Sequence, residues 1–225
     1  MFITERLISI IAPQLCLNCG AEGSILCNWC KPEALIPLPS RCYHCKAITV
    51  DFRVCPKCKS NSRLRHVWIA TDYEGVAKDL IGRFKFERTQ AVAQVLGQAM
   101  LDVLPHMSKE NLLLVPVPTA TSRIRQRGYD HTLLITKVVS KHKRLPYQSL
   151  LVRLGQSRQV GAKRDQRRTQ LAGSFIVKNP LLVKGKEILL VDDIVTSGGT
   201  LEAAAAELKN AGAKSVSAVV FAQKS

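Results

Sequence analysis

Residues 188–200 read Ile188-Leu189-Leu190-Val191-Asp192-Asp193-Ile194-Val195-Thr196-Ser197-Gly198-Gly199-Thr200. Four consecutive apolar residues predict a strand buried on both faces, as in a parallel sheet covered by helices. That strand delivers two adjacent carboxylates at its C-terminal end, where open parallel sheets bind ligands. Gly198 and Gly199 let backbone N–H groups approach a ligand closely. Thr196, Ser197 and Thr200 add hydroxyls, and a helix beginning near Thr200 points its positive end at the loop. The stretch is a cradle for a phosphomonoester, with acceptors for vicinal hydroxyls beside it. Asp192 and Asp193 would accept from a ribose 2′- and 3′-OH, or hold a Mg²⁺ that also touches them. No Gly-Lys-Ser/Thr follows, so this is not the phosphate loop of a P-loop nucleotidase.

Outward from that stretch the chain alternates strand and helix patterns. Strands are expected at 67–70, 112–115, 175–177, 187–191 and 216–221. Helices are expected at 76–84, 91–104, 132–140 and 201–210, the last stopping at Ala211-Gly212. The alternation, with wholly apolar strands, predicts an α/β fold with a parallel sheet flanked by helices. Val115-Pro116-Val117-Pro118 ends one strand and leads into Arg123, Arg125 and Arg127. Guanidinium groups suit phosphate oxygens because they offer paired donors in a fixed fork and keep their charge. The chain carries a formal net charge of +16, and residues 123–168 hold thirteen Lys/Arg against two acids, +11 in one fifth of the chain. Such a field draws in a polyanion, either a pyrophosphate ester or a nucleic-acid backbone. Tyr129 is the sole aromatic residue between Arg123 and Arg144, so a grip on single-stranded DNA would be electrostatic rather than stacked.

All eight cysteines fall before residue 60, as Cys16-x₂-Cys19, Cys27-x₂-Cys30, Cys42-x₂-Cys45 and Cys55-x₂-Cys58. Two thiolates on one Cys-x-x-Cys turn can bind one Zn²⁺, and a second such turn closes a tetrahedral four-sulfur site. Gly20, directly after Cys19, fits the tight turn of such a knuckle. Two sequential zinc ribbons are preferred over an interleaved pairing, which the spacing also allows. Pro32, Pro37 and Pro39 separate two similar halves, a weak internal duplication. Neither half looks secreted, which favours metal over disulfides, and no doublet follows a strand as in a thioredoxin-like redox unit. Apolar residues in 1–15 fit one helical face. Glu5 and Arg6 interrupt what would be a signal peptide, and no apolar run is long enough to span a membrane, so a cytoplasmic protein without membrane insertion is expected. Two domains are expected: residues 1–62, with the N-terminal helix and the double zinc ribbon, and residues 63–225.

The loop at 188–200 resembles the phosphoribosyl-pyrophosphate (PRPP) signature of type I phosphoribosyltransferases: apolar residues, two acids, then a Thr/Ser/Gly loop. The resemblance implies the type I phosphoribosyltransferase fold. It also implies a PRPP site made of Asp192, Asp193, Thr196, Ser197, Gly198, Gly199 and Thr200, with magnesium accompanying PRPP. Arg123, Arg125 and Arg127 would stand around its pyrophosphate, and the basic stretch 153–168, with Gly155 and Gly161, lies where the class carries a mobile flap. Taken with the cysteine doublets, Phe84-Lys85-Phe86 and Arg127-Gly128-Tyr129, the chain is similar over essentially its whole length to the ComF family of competence proteins. That family usually shows Arg-Gly-Phe-Asn-Gln where this chain has Arg127-Gly128-Tyr129-Asp130-His131, and often an Asn where it has Thr169. The resemblance implies a role in natural transformation after DNA entry. Two activities stay open. One is transfer of phosphoribose to an acceptor. The other is a non-catalytic, PRPP- or nucleotide-responsive adaptor that binds single-stranded DNA and competence proteins such as a helicase or a recombination mediator. Some purine transferases place an Asp four residues after the first acid to take the base's proton. Thr196 holds that position here and cannot act as a base near neutral pH.

Overall fold

A computed structural model describes residues 14–86, 90–108, 110–154 and 174–224, without the side chains of Phe86, Gln90, Thr121, Arg123 and Arg127. Most of the expected N-terminal helix and all of the expected flap beyond Leu154 lie outside the described residues. Strands β1 (Val67–Asp72), β2 (Leu112–Pro116), β5 (Glu187–Val195) and β6 (Ser215–Gln223) form one sheet in the order β1-β6-β5-β2. Every pairing in it is parallel. Every residue of β6 from Val216 to Gln223 is buried, which requires cover on both faces of the sheet. Helices α3 (Gly75–Phe86), α4 (Gln90–Val103) and α6 (His131–Lys143) precede β5, and α7 (Gly199–Asn210) joins β5 to β6. Helices α4 and α6 pack on each other and on the sheet, while α7 packs on β5 and β6. A short helix, α5 (Thr121–Arg127), lies between β2 and α6. The expected strand at 175–177 is present as β4 (Phe175–Val177), but its partner is β3 (Leu151–Arg153) in a separate antiparallel ribbon. Phe175 is 1% exposed and Ile176 49%, a one-sided pattern that suits a half-buried ribbon and not a central parallel strand.

The central strands position the site. Pro116, the last residue of β2, pairs with Val191, so β5 runs on past its neighbour carrying Asp192 and Asp193. On one side β5 connects through α7 to β6, and on the other side β2 leads away into α5. The crevice between them is the switch point at which such sheets bind ligands.

The cysteine region repeats one small build twice. Leu15 bridges Glu22 around the first doublet and Arg41 bridges Ile48 around the third. In each, the first cysteine's carbonyl accepts from the residue four on, Gly20 (2.9 Å) or Lys46 (2.8 Å). Both of those residues have positive φ, +73° and +61°. Helix α1 (Lys31–Ala34) follows the second doublet, and α2 (Pro56–Lys59) begins within the fourth and contains Cys58. The second repeat is stitched to the sheet: Val67 N–H donates to Phe52 O at 3.0 Å, Val54 N–H to Arg65 O at 3.0 Å, and Arg65 N–H to Val216 O at 2.8 Å. No helix among the described residues is long and apolar enough to cross a membrane.

Candidate functional site

Asp192 and Asp193 are the sixth and seventh residues of β5, so their side chains leave opposite faces of the strand. Both are more than nine-tenths buried. Asp193 Oδ2 lies 3.3 Å from Lys85 Nζ at the end of α3 and 3.2 Å from His131 Nε2 at the start of α6. Burial pushes Asp193 up, but His131 and Lys85 outweigh it and hold the carboxyl below the usual carboxylate range. Asp192 moves the other way: burial, and then the charge of Asp193, push it well above that range. The adjacent acids are thus a split pair, one ionised and one inclined to keep its proton. Asp192 Oδ1 accepts from the Asp193 N–H at 2.9 Å, whereas Asp193 Oδ2 is buried and accepts no aligned hydrogen bond. Lys85 already balances Asp193, and Asp192 leaves the opposite face of the strand, so a divalent cation at this pair would have to bring most of its oxygen ligands from a bound ligand.

Past Val195 the chain turns through Thr196 and Ser197, both exposed, and enters α7 at Gly199. Gly198 is the N-cap, with φ +77° and no side chain to cap the helix, so the first N–H groups of α7 are left for a ligand. Beside them is a cleft of about 470 Å³ lined by Asn61, Arg63, Ser197, Gly199, Glu202 and Ala203. All seven residues expected at the loop therefore come together at one end of the sheet.

On the pyrophosphate side, Thr119 follows Val117-Pro118 and its hydroxyl donates to Asp130 Oδ1 at 3.0 Å. Asp130 caps α6, accepting from the N–H groups of Thr132 and Leu133. His131 Nδ1 lies 3.1 Å from Thr119 Oγ1, so the ring joins the turn after β2 to Asp193. Both ring nitrogens face oxygen atoms, one in the turn after β2 and one on Asp193. The sequence departures at 129–131 thereby acquire physical reasons. The Tyr129 hydroxyl donates to Phe84 O. Asp caps a helix as well as Asn does. His131 supplies a partner for Asp193. Arg125 is exposed on α5, and the side chains of Arg123 and Arg127 lie outside the described residues. Sequence reading missed Lys85, Thr119 and His131 as site residues. Lys85 stands out in the sequence only within Phe84-Lys85-Phe86, and nothing local marks its meeting with a residue more than a hundred positions on.

The eight cysteines form two groups, Cys16/Cys19/Cys27/Cys30 and Cys42/Cys45/Cys55/Cys58, each with its ligand atoms within 4.8 Å of one another. Pairing is therefore sequential. Sulfurs about 2.3 Å from a tetrahedral Zn²⁺ lie about 3.8 Å apart. Here Cys19 and Cys27 sulfurs are 3.8 Å apart and those of Cys45 and Cys55 are 3.5 Å apart. In each group the first thiol is drawn down. Backbone N–H groups, Cys27's first, bring Cys16 to about 6. Burial raises Cys42, but the N–H groups of Cys55, Cys45 and His44 outweigh it and bring it to about 7. Burial and neighbouring thiols push Cys58 up to about 12. Thiols that resist sharing negative charge are relieved by a metal cation, and the two groups suggest structural zinc. His44 lies outside the four-thiol set, its Nδ1 3.7 Å from Cys58 Sγ.

The second group touches the loop. Tyr43, inside the Cys42-x-x-Cys45 doublet, is 3% exposed, and its hydroxyl donates to Glu202 Oε1 in the first turn of α7 at 2.5 Å. Ser62 Oγ donates to the same oxygen at 2.5 Å, and the Arg63 N–H to Glu202 Oε2 at 2.8 Å. Burial, then the Glu202 charge, holds the phenol far above its ordinary range, so it remains the donor.

A parallel sheet with an acid pair and an open helix N-terminus at its switch point is an anion-binding α/β arrangement. Residues 148–225 match the phosphoribosyl transferase domain family. The chain is 26% identical over 162 residues to the competence protein ComFC of Streptococcus pneumoniae (strain ATCC BAA-255 / R6), covering 71% of this chain and 68% of that one. It is 25% identical over 214 residues to the DNA utilization protein YhgH of Escherichia coli O6:H1, covering 85% of this chain and 93% of that one. Among solved structures it is similar to the glutamine PRPP amidotransferase of B. subtilis, with TM-score 0.41 and 16% identity, covering 61% of this chain and 30% of that one. Two Cys₄ groups ahead of a phosphoribosyl transferase domain, together with the likeness to ComFC and YhgH, fit a ComF-type protein, and the two groups suggest a double zinc ribbon.

Proposed function

We propose that this chain binds PRPP with Mg²⁺ and acts in DNA uptake during natural transformation, as a cytoplasmic phosphoribosyltransferase-like protein. Residues 1–62 serve as the zinc-bearing domain and 63–225 as the PRPP domain. The observation that carries the reading is the uncapped N-terminus of α7 directly after a split, buried acid pair at the switch point. In it, Thr196, Ser197, Gly198, Gly199 and Thr200 hold the 5′-phosphate. Asp192 and Asp193 take the ribose hydroxyls and the Mg²⁺, and Arg123, Arg125 and Arg127 serve the pyrophosphate. Displacement at the anomeric carbon would be aided by charge stabilisation at the leaving pyrophosphate. The role in DNA uptake rests on the likeness to proteins named for competence and DNA utilization. Titration calorimetry with Mg·PRPP tests the site. Binding in the unaltered chain and its loss in Gly198→Val are expected, whereas no heat at millimolar PRPP would refute the reading.

A second reading, a non-catalytic adaptor for single-stranded DNA and for competence proteins such as a helicase or recombination mediator, is favoured by Thr196 standing where a base would be and by the thirteen cations of residues 123–168. Pyrophosphate release from PRPP separates the two. DNA binding whose salt slope falls by about 0.7 per neutralised contact supports the adaptor.

A further inference from the structure

Tyr43 is clamped at three points. Its ring lies on Gly198: a β-carbon added there would fall 2.3 Å from Tyr43 Cε2 and 3.1 Å from Cδ2. Its hydroxyl holds Glu202 in the first turn of α7. Its carbonyl accepts from Gln223 Nε2, on the last residue of β6, at 2.7 Å. Gln223 in turn accepts from Arg41 Nε at 3.2 Å, and Arg41 also donates to Asp72 at the end of β1 at 3.0 Å. The residue between two thiols of the second Cys₄ group is therefore tied to the phosphate loop, to the helix behind it and to the sheet edge. The first group has no comparable tie to the loop among the described residues.

The loop needs such support. Gly198 adopts φ +77° as the N-cap of α7 and offers no side chain to cap the helix, so contacts from outside the loop add to what holds that turn. A flat, buried ring pressed on the glycine excludes other backbone positions, and the Glu202 carboxylate, held by three donors, fixes the turn that follows. Tyr43 is too buried to touch a ligand, so its action is through the loop.

We propose that Tyr43 is the positioning residue of the phosphate loop. Through it the second Cys₄ group, and not the first, holds Gly198 and the start of α7 in the anion-binding conformation. Metal at residues 42–58 thereby sets the affinity for the sugar phosphate, while metal at residues 16–30 serves its own ribbon.

This inference rests on the PRPP reading of the loop, and two measurements keep the two apart. Amide hydrogen exchange of residues 199–203 reads the coupling without any ligand, and calorimetry with Mg·PRPP reads its consequence. Cys45→Ser, at an exposed ligand of the second group, is expected to cost one zinc and to speed exchange at 199–203. Cys19→Ser, at an exposed ligand of the first, costs its own zinc and leaves those amides as protected as before. Tyr43→Ala is expected to keep both zinc ions yet speed the same exchange and weaken Mg·PRPP binding about tenfold or more, since a buried aromatic contact and a charge-assisted hydrogen bond are lost together. Tyr43→Phe, which keeps the ring and the fold, should lose a smaller factor of the same sign. Equal exchange in Cys45→Ser and Cys19→Ser, or Tyr43→Ala and Tyr43→Phe that exchange and bind like the unaltered chain, would overturn the proposal. If the unaltered chain binds no PRPP while Cys45→Ser still loosens 199–203, the coupling stands and only the ligand reading falls.

Discussion

The first Cys₄ group, Cys16 to Cys30, and the second, Cys42 to Cys58, share their local build: an antiparallel bridge, a positive-φ turn after the doublet, and a short helix. Around the first, the ion pair of Lys31 with Asp102 at 2.9 Å is a surface contact. Around the second, Arg41, Tyr43, Phe52 and Val54 join the sheet and the loop. Asp192 and Asp193 make a second such comparison, with the same side chain on adjacent residues and opposite electrostatic fates. Like residues acquire unlike roles from what the fold brings beside them.

The sharpest break of the first comparison is Cys42→Ser. Cys42 is fully buried, and metal-coupled folding of a small four-ligand site amounts to about 10 kcal/mol or more. We expect metal analysis to fall from near two zinc ions per chain to one and thermal unfolding to shift far more than for Cys16→Ser. Equal shifts would show that the sheet contacts of the second group add nothing.

Among the acids, Asp193→Asn removes the partner of Lys85 and His131 from a buried site and should cost about 3 kcal/mol in urea unfolding. Its pH signature follows from the direction of its shift. A depressed folded pKa means stability that is fully present above the ordinary carboxylate pKa and lost as pH falls through the folded value. Acid unfolding of the Asn variant should therefore lack part of the unaltered chain's steepness below about pH 4.

Asp192 has the reverse sign. Its raised folded pKa gives stability present below the ordinary value and lost as pH rises through the folded one, so at neutral pH the acid is a strain on the unliganded chain. Asp192→Asn should raise stability at pH 7 by about 1–3 kcal/mol while Mg·PRPP binding is lost. A loss of stability would mean that the two acids do not divide as described.

The smallest effect belongs to the first group's surface. Lys31→Ala should cost no more than about 1 kcal/mol. Partial burial raises Asp102, but Lys31 and Gln98 outweigh it, so the pair's contribution is present above the ordinary carboxylate range and fades as pH falls. A chevron or melt insensitive to salt would argue that even this contact is not electrostatic.

Much of the molecule was legible because its signals are local. A run of apolar residues reports burial on both faces of a strand, so β2, β5 and β6 and the helices between them follow from residues 112–221 read in order. Asp192 to Thr200 announces itself because strand, acids, glycines and helix start are neighbours in the chain. The Cys-x-x-Cys spacing likewise puts two sulfurs on one turn. The sequence by itself determined these elements, since the physics that makes them acts over a few residues. Only the tertiary structure decided that doublets pair in order, that residues 175–177 leave the main sheet for a ribbon with residues 151–153, that Lys85 and His131 divide the fates of Asp192 and Asp193, and that Tyr43 lies on Gly198. Each of these is a contact between residues far apart in the chain. Whether two such residues meet depends on how whole elements pack, and no spacing along the sequence records it.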